Sequence, residues 1–306
     1  MANLRALVKR RKAIRNIRKI TKTMELIATS RFQRALKRAS EAEAYTKKIA
    51  ELAADLSKNA GETSHPLLAV RPTTKKVLFL VITSNRGLCG GYNGGIIREA
   101  YAKVRTLNEQ GIPFDLEAAG KRGITYFRFQ GIPRTKEYIQ FEDKPTYEQV
   151  EAIANRYIDL FISGQVDEVV VAYQKFVTIA RQFPVVETLL PLSSVVVESS
   201  RKGAKPAEPT PAVAPASSAA PVEYEFLPSA GDILNELVPV AFKVRLFKCF
   251  LDAAVSEQIA RRVAMKAATE NAGDLIKAVT QLYNRTRQAN ITKEISELIA
   301  GSEALK

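Results

Sequence analysis

Two long stretches of this chain contain almost nothing that stops a helix. Leu4 to Leu56 has neither proline nor glycine, and between Val240 and Ala300 the only helix-weakening residue is Gly273. At a rise of about 1.5 Å per residue the first stretch predicts a rod of roughly 80 Å, and the second, taken from Pro239 to Ala300, one of about 90 Å. A globule of this length has a radius of gyration of roughly 19 Å, so such helices must project from it. In the first, Ile14, Ile17, Ile20, Met24 and Ile27 recur in steps of three and four, with Leu4, Leu7, Leu36, Ile49, Leu52 and Leu56 extending the stripe. In the second, Leu275, Val279, Leu282, Thr286 and Ala289 keep heptad spacing, as do Phe247, Leu251 and Ala254. One apolar stripe on each rod predicts an antiparallel coiled coil of the two chain ends, because burying each stripe against the other removes both from water. Asn59, Gly61 and Pro66 end the first rod. Pro239 marks a start or a kink in the second, since it cannot donate an intrahelical hydrogen bond.

The segment between has another texture. Val77–Thr83 is a continuous apolar run with β-branched residues, as expected of a strand buried on both faces. Helical patterning over Ile96–Asn108, a strand at Asp115–Ala119, a helix after Gly120, a helix over Thr146–Ile162 and strands at Glu168–Tyr173 and Pro184–Leu192 complete the pattern. Alternating strands and helices predict a small, Rossmann-like α/β domain with a largely parallel sheet. The expected organisation is therefore an N-terminal coil helix over 1–60, an α/β domain over 74–200, a Pro/Ala-rich linker or insertion over 201–229 and a C-terminal coil helix over 230–306. Within the linker, Arg201–Val222 carries five prolines and no aromatic residue, which is not core-forming material.

The net charge is +14. Thirteen basic residues and the single acid Glu25 fall between Met1 and Arg38, so most of that charge sits on the first helix. Such a surface seeks an acidic partner. Nucleic acid is one such class, but Phe32 is the only aromatic residue before Tyr45 and no recognition motif is present. The stretch is also poor in serine and runs unbroken into a longer helix, unlike a transit peptide. No apolar run reaches the ~20 residues needed to span a bilayer. Two cysteines, Cys89 and Cys249, and one histidine, His65, give no pair or cluster with metal-ligand spacing.

One motif invites a catalytic reading. Asn85–Gly95, directly after the first strand, has glycines at 87, 90, 91, 94 and 95. A phosphate loop needs GxxxxGK[ST]; here Gly90 and Gly95 have the spacing, but Ile96 and Ile97 stand where lysine and a hydroxyl residue are required. No two of these glycines are two residues apart, so the dinucleotide fingerprint fails as well. The expectation is a tight strand-to-helix turn at the sheet edge where another chain packs. Cys89 has no histidine neighbour in sequence, and His65 has no acid or nucleophile beside it. No cofactor and no catalytic group is expected.

Four segments carry a more specific signal: IRKITKTMELIATSRFQRA (Ile17–Ala35), SNRGLCGGYN (Ser84–Asn93), SEQIARRVAMKAATENAGDLI (Ser256–Ile276) and YNRTRQANITKEISELIAGSEAL (Tyr283–Leu305). Together and in this order they closely resemble the gamma subunit of F-type ATP synthases. The resemblance implies a central rotor shaft: a terminal coil running through a ring of alpha and beta subunits, and a foot domain that meets the epsilon subunit and the membrane c ring. It implies a peripheral protein on the cytoplasmic face of a bacterial inner membrane, with no membrane insertion, no nucleic acid and no catalytic site of its own. By motif position it assigns ring contacts to Met24, to Arg18, Lys19 and Lys22, to Glu257 and Arg261, and to Arg287, Gln288 and Thr292. Ile295, Leu298 and Ile299 would form the apolar shaft tip. Arg86, Gly87, Cys89, Gly90, Gly91 and Tyr224 would be contacts of the foot. The cysteine pair of the plant chloroplast insertion is absent, which argues against a thiol switch of that kind.

Overall fold

The computed structural model describes residues 4–59, 65–69, 71, 73–141, 144–192 and 230–303. Arg201–Val222 and Tyr224 lie outside them. The elements are α1 (Leu4–Asn59), a 3-10 turn (Pro66–Leu68), β1 (Val77–Ile82), α2 (Tyr92–Glu109), β2 (Phe114–Ala119), α3 (Lys121–Phe129), β3 (Lys136–Tyr138), α4 (Tyr147–Ile162), β4 (Glu168–Phe176), β5 (Gln182–Leu190) and α5 (Ala230–Glu303). Two compact units result. One comprises Gln33–Gly87 and Gly91–Glu257, the other Met1–Phe32, Leu88–Gly90 and Gln258–Lys306.

The first unit is built on a five-stranded sheet in the order β3-β2-β1-β4-β5. β1 pairs in parallel with both β2 and β4, and all six of its residues are buried, as its unbroken apolar run predicts. Because strand order reverses between β1 and β4, right-handed crossovers place α4 on the opposite face from α2 and α3. On the α4 face, Val150, Tyr157 and Phe161 pack with Leu80 and Val171 and with Val238, Phe242, Leu246 and Phe250 of α5. α4 opens with a capping box between Thr146 and Gln149, a helix start readable from the sequence.

Several local expectations need correction. β5 runs antiparallel to β4, and the three-residue strand β3 had no periodicity long enough to announce it. The glycine turn follows the central strand and is not at the sheet edge. α2 begins at Tyr92, four residues before Ile96; Gly95 within it lies in ordinary contact with Pro184. α5 begins at Ala230 and carries Pro239 in its interior. Val238 and Phe242, on either side of the proline, are both fully buried in the sheet unit, and that burial holds the helix across the missing donor.

Two features pin the strand ends. Gly120 has φ +98, and a side chain there would place Cβ 2.1 Å from the Thr83 carbonyl oxygen. Asp167, buried, accepts from the Lys75 and Lys76 N–H groups at 2.7 and 2.9 Å and is ion-paired with Arg71, whose other nitrogen donates to the Phe161 carbonyl at 2.7 Å. Burial by itself would raise the Asp167 pKa. The Arg71 hydrogen bond and the two backbone donors outweigh it and hold the carboxyl below its ordinary value.

Gly120→Ala should destabilise the chain by about 3 kcal/mol in urea unfolding. Gly91→Ala, with nothing within 4 Å of the new methyl, should change it by less than ~0.5 kcal/mol. A folded pKa below the unfolded one stabilises above the unfolded value and is lost as pH falls through the folded value. Acid titration of stability should therefore show Asp167→Asn with a flatter slope than the parent below roughly pH 4.

Candidate functional site

In the second unit α1 and α5 pair along a heptad seam. On α1 it is formed by Leu7, Arg11, Ile14, Thr21, Glu25, Ala28 and Phe32, all buried or half-buried, and on α5 by Gln258, Arg262, Met265, Thr269, Ala272, Ile276, Val279, Tyr283 and Thr286. Cross-helix contacts fix an antiparallel register. Arg11 lies over the Tyr283 ring with its guanidinium carbon 5.1 Å from the centroid, and Ile14 packs with Ala272, Ile276 and Val279. The Thr269 hydroxyl donates to that of Thr21 at 2.8 Å, and Arg262 covers the Phe32 ring at 5.2 Å. Arg18 Nε lies 3.8 Å from where a Gly273 Cβ would stand, so the glycine admits the arginine.

This seam differs from the expected one. Leu7, Ile14, Val279 and Thr286 belong to it. Ile17, Ile20 and Ile27 are 52, 59 and 48% exposed, and Leu275 and Leu282 are 49 and 44% exposed. Ala289 is exposed as well, and Met24 is half-buried. The helices meet along rows carrying small and polar residues, because Ala28, Thr21, Thr269 and Ala272 let the two backbones approach.

The resemblance-assigned residues fall into separate groups. Arg18, Lys19 and Lys22 are exposed on α1, with Lys22 3.1 Å from Glu25. Arg287, Gln288 and Thr292 are exposed on α5 beyond the level of Arg11, so the two groups stand roughly 15–30 Å apart along the coil. Arg261 is buried at 7% exposure, and Glu257 is half-buried. From Ile291 through Ser302 every residue of α5 is exposed, including Ile295 at 52%, Leu298 at 74% and Ile299 at 55%.

The turn from β1 to α2 is equally informative. Its position, where strand order reverses beyond the carboxyl end of a central strand, is the place where open α/β sheets bind ligands. Here the N–H donors of the neighbouring start of α3 and of Ser84 are spent. Lys121 N–H donates to Asn85 Oδ1 at 3.0 Å, Arg122 N–H to the Ser84 carbonyl at 3.1 Å and Gly123 N–H to Thr83 Oγ1 at 2.9 Å, which consumes the first turn of α3. Ser84 N–H is taken by Asn93 Oδ1 at 3.0 Å, and Asn85 Nδ2 ties down the Ile139 and Phe141 carbonyls. Arg122 Nη2 lies 2.6 Å from where a Gly87 side chain would be, Gly90 has φ +56 with a 3.7 Å approach to Ala264, and Gly91 caps α2. Arg86 is exposed and Cys89 buried. Tyr92 Oη donates to the Ala253 carbonyl of α5 at 3.1 Å. The loop is therefore a structural turn braced by its own side chains and by α5.

No group of three metal-binding side chains occurs among the described residues. His65 is buried and accepts from Leu67 N–H at 3.1 Å, capping the 3-10 turn; burial lowers its pKa. The Cys249 thiol is pushed up to about 12 by burial and the nearby Glu187 carboxylate, so it is an inert core group. Sequence reading missed one buried network. Glu117, fully buried on β2, accepts from Tyr138 Oη at 2.8 Å, Tyr157 Oη at 2.7 Å and Arg156 at 2.5 Å. Burial first and the Glu117 charge second raise the Tyr157 pKa. The available signal was an acid in the middle of an apolar strand, FDLEAA. Every polar atom in it faces a partner from β3 or α4, so it fastens the domain.

The seam assignment is checkable by paired substitutions. Val279→Asp and Ile14→Asp should each lower coil stability by about 3 kcal/mol, whereas Leu275→Asp and Ile17→Asp should change it by ~0.5 kcal/mol or less, measured by circular dichroism during thermal unfolding.

A family model described as ATP synthase matches residues 3–305. An ATP synthase gamma chain of Rhodopirellula baltica is 50% identical over 306 residues, covering all of both chains. One of Leptospira biflexa is 36% identical over 305 residues, again covering both in full. Among solved structures, a chain of the Euglena gracilis mitochondrial ATP synthase rotor superposes with a TM-score of 0.60 at 16% identity, covering 94% of this chain and 98% of that one. That likeness is one of fold. With full-length identity of 50% and a match over 3–305, this chain belongs to the gamma-subunit family of the F-type ATP synthases, the central-stalk subunits of that complex.

Proposed function

We propose that the chain acts as a rotating shaft that carries torque between a membrane c ring and an alpha/beta catalytic ring, with no catalytic site of its own. The observation that carries this is the bare end of α5. From Ile291 to Ser302 a continuous helix is exposed on all sides, with Ile295, Leu298 and Ile299 uncovered. Apolar residues uncovered in this way are the kind of surface that another chain covers. Non-directional apolar contacts in such a sleeve permit turning. The absence of a catalytic role is supported by the β1–α2 turn, whose acceptors tie up the first N–H groups of α3.

In this reading Arg18, Lys19, Lys22 and Met24 on α1, and Glu257, Arg287, Gln288 and Thr292 on α5, face the alpha/beta ring, and Arg261, buried, acts on it only through its neighbours. The ring meets a different side of the coil at each angle, and only that difference in interaction energy shifts its conformational equilibrium. Arg86, Gly87, Cys89, Gly90, Gly91 and Tyr224 serve contacts of the foot domain, which seats on the epsilon subunit and the c ring. No helix among the described residues is long and apolar enough to cross a membrane, which supports a peripheral association. We place it on the cytoplasmic face of a bacterial inner membrane.

The test is reconstitution with alpha and beta subunits of the same source, with a bead fixed to the α/β domain. ATP-driven stepwise rotation of the bead is the expected result, together with a rate that falls at least about tenfold when Leu298 and Ile299 are both changed to Asp. A chain that joins the ring without rotating, or never joins it, would overturn the proposal.

A further inference from the structure

Helices α2 and α3 lie on the same face of the sheet and end in the same way. Gly111 and Gly131, at φ +68 and +69, turn the chain back beyond each helix. Ile112 N–H then donates to the Leu107 carbonyl and Ile132 N–H to the Phe127 carbonyl, both at 3.0 Å. Between the two helix ends lies a cavity of about 370 Å³, lined by Tyr101, Val104, Arg105, Asn108 and Glu109 of α2 and by Gln130 and Ile132 after α3. It sits where the parallel strands begin, at the other end of the sheet from the glycine-rich turn. None of its residues has a part in the shaft reading.

The floor is apolar, with Val104 2% exposed and Ile132 half-buried. Tyr101, 42% exposed, supplies an aromatic wall. Among the described residues no group hydrogen-bonds to the side-chain amides of Asn108 and Gln130, which line the cavity from different elements. The one cation of the lining, Arg105, is held by Glu109 at 2.7 Å. Two helix carboxyl ends converge here, and their dipoles favour hydrogen-bond donors over anions. An apolar floor, an aromatic wall, two open carboxamides and a negative field together fit a flat, uncharged ring bearing an amino group. A carboxamide matches the adenine edge, where one ring acceptor stands beside one amino donor. A tyrosine ring stacks on the base face, and the volume is in the range of small-molecule sites.

We propose that this cavity binds an uncharged aminopurine nucleoside, its base stacked on Tyr101 and its amino edge read by Asn108 and Gln130. The helix dipoles and the neutralised Arg105 select the nucleoside over its phosphorylated form. The site is separate from the glycine-rich turn and does not depend on the shaft reading.

Adenosine is titrated into the full-length chain by calorimetry, and saturable one-to-one binding with a Kd below about 1 mM is expected. Tyr101→Ala should weaken it at least about fivefold through lost stacking. Asn108→Leu and Gln130→Leu should each weaken it at least about threefold. Gln110→Leu, which removes an exposed carboxamide outside the cavity, should leave it unchanged. All four positions are exposed, so the variants should keep the parent's urea unfolding midpoint. In competition, purine riboside, which lacks the amino group, should displace adenosine at least about threefold less effectively, and so should adenosine monophosphate. No saturable heat up to about 10 mM adenosine would overturn the proposal. So would equal losses from Gln110→Leu and Asn108→Leu, or displacement by the monophosphate at lower concentration than by adenosine itself, which would assign the cavity to an anion.

Discussion

A helix as long as α5 is only as stable as what covers it, because backbone hydrogen bonding leaves isolated helices marginal in water. Along its 74 residues the cover comes in three parts. Val238 to Ala253 are held by the sheet and α4, Gln258 to Asn290 by α1, and Ile291 onward by nothing among the described residues. Each stretch has a composition to match. Phenylalanines and valines line the first, alanines and hydroxyl residues the second, and bare isoleucines and a leucine the third. The gradient from anchored to uncovered suits a part fixed at one end and gripped by others along its length.

The coil illustrates how modest a seam can be when geometry is right. Its contacts include two cation–π pairs, a hydroxyl pair and one small apolar cluster. Polar residues at seam positions cost stability and fix register, since a slip would separate Thr21 from Thr269 and Arg11 from Tyr283. The exposed isoleucine row brings no comparable penalty in an assembly that buries it. In the free chain it is a contiguous apolar surface of the kind that marks an interface.

The glycine-rich turn shows why composition and placement alone are weak evidence for a nucleotide site. It lies where a ligand would bind in an open α/β sheet, yet the first N–H groups of the adjacent α3 end on Asn85, Ser84 and Thr83, and Ser84 N–H ends on Asn93. A phosphate cradle requires those donors to converge outward on an empty space. Here the glycines serve close packing, with Gly120 admitting the Thr83 carbonyl and Gly90 admitting Ala264.

The amino-acid sequence determined that two long helices end the chain, that an α/β domain lies between them, and that no metal or nucleophile chemistry was assembled by local spacing. These follow from periodicity, from breakers and from residue types, all of which act within a few turns of chain. The capping box of α4 and the buried run of β1 were legible for the same reason. The pairing partners were not. Which of two neighbouring heptad rows forms the seam depends on how closely two backbones approach, and Ala28, Ala272 and the two threonines decide that only once α1 and α5 meet. Local hydrophobicity favours the isoleucine row, and tertiary packing leaves it outside. The direction of β5, the central position of the glycine turn and the Glu117 cluster are likewise set by contacts between segments far apart in the chain. Helix propensity carries Pro239 no further than a break. The buried Val238 and Phe242 carry the helix through it.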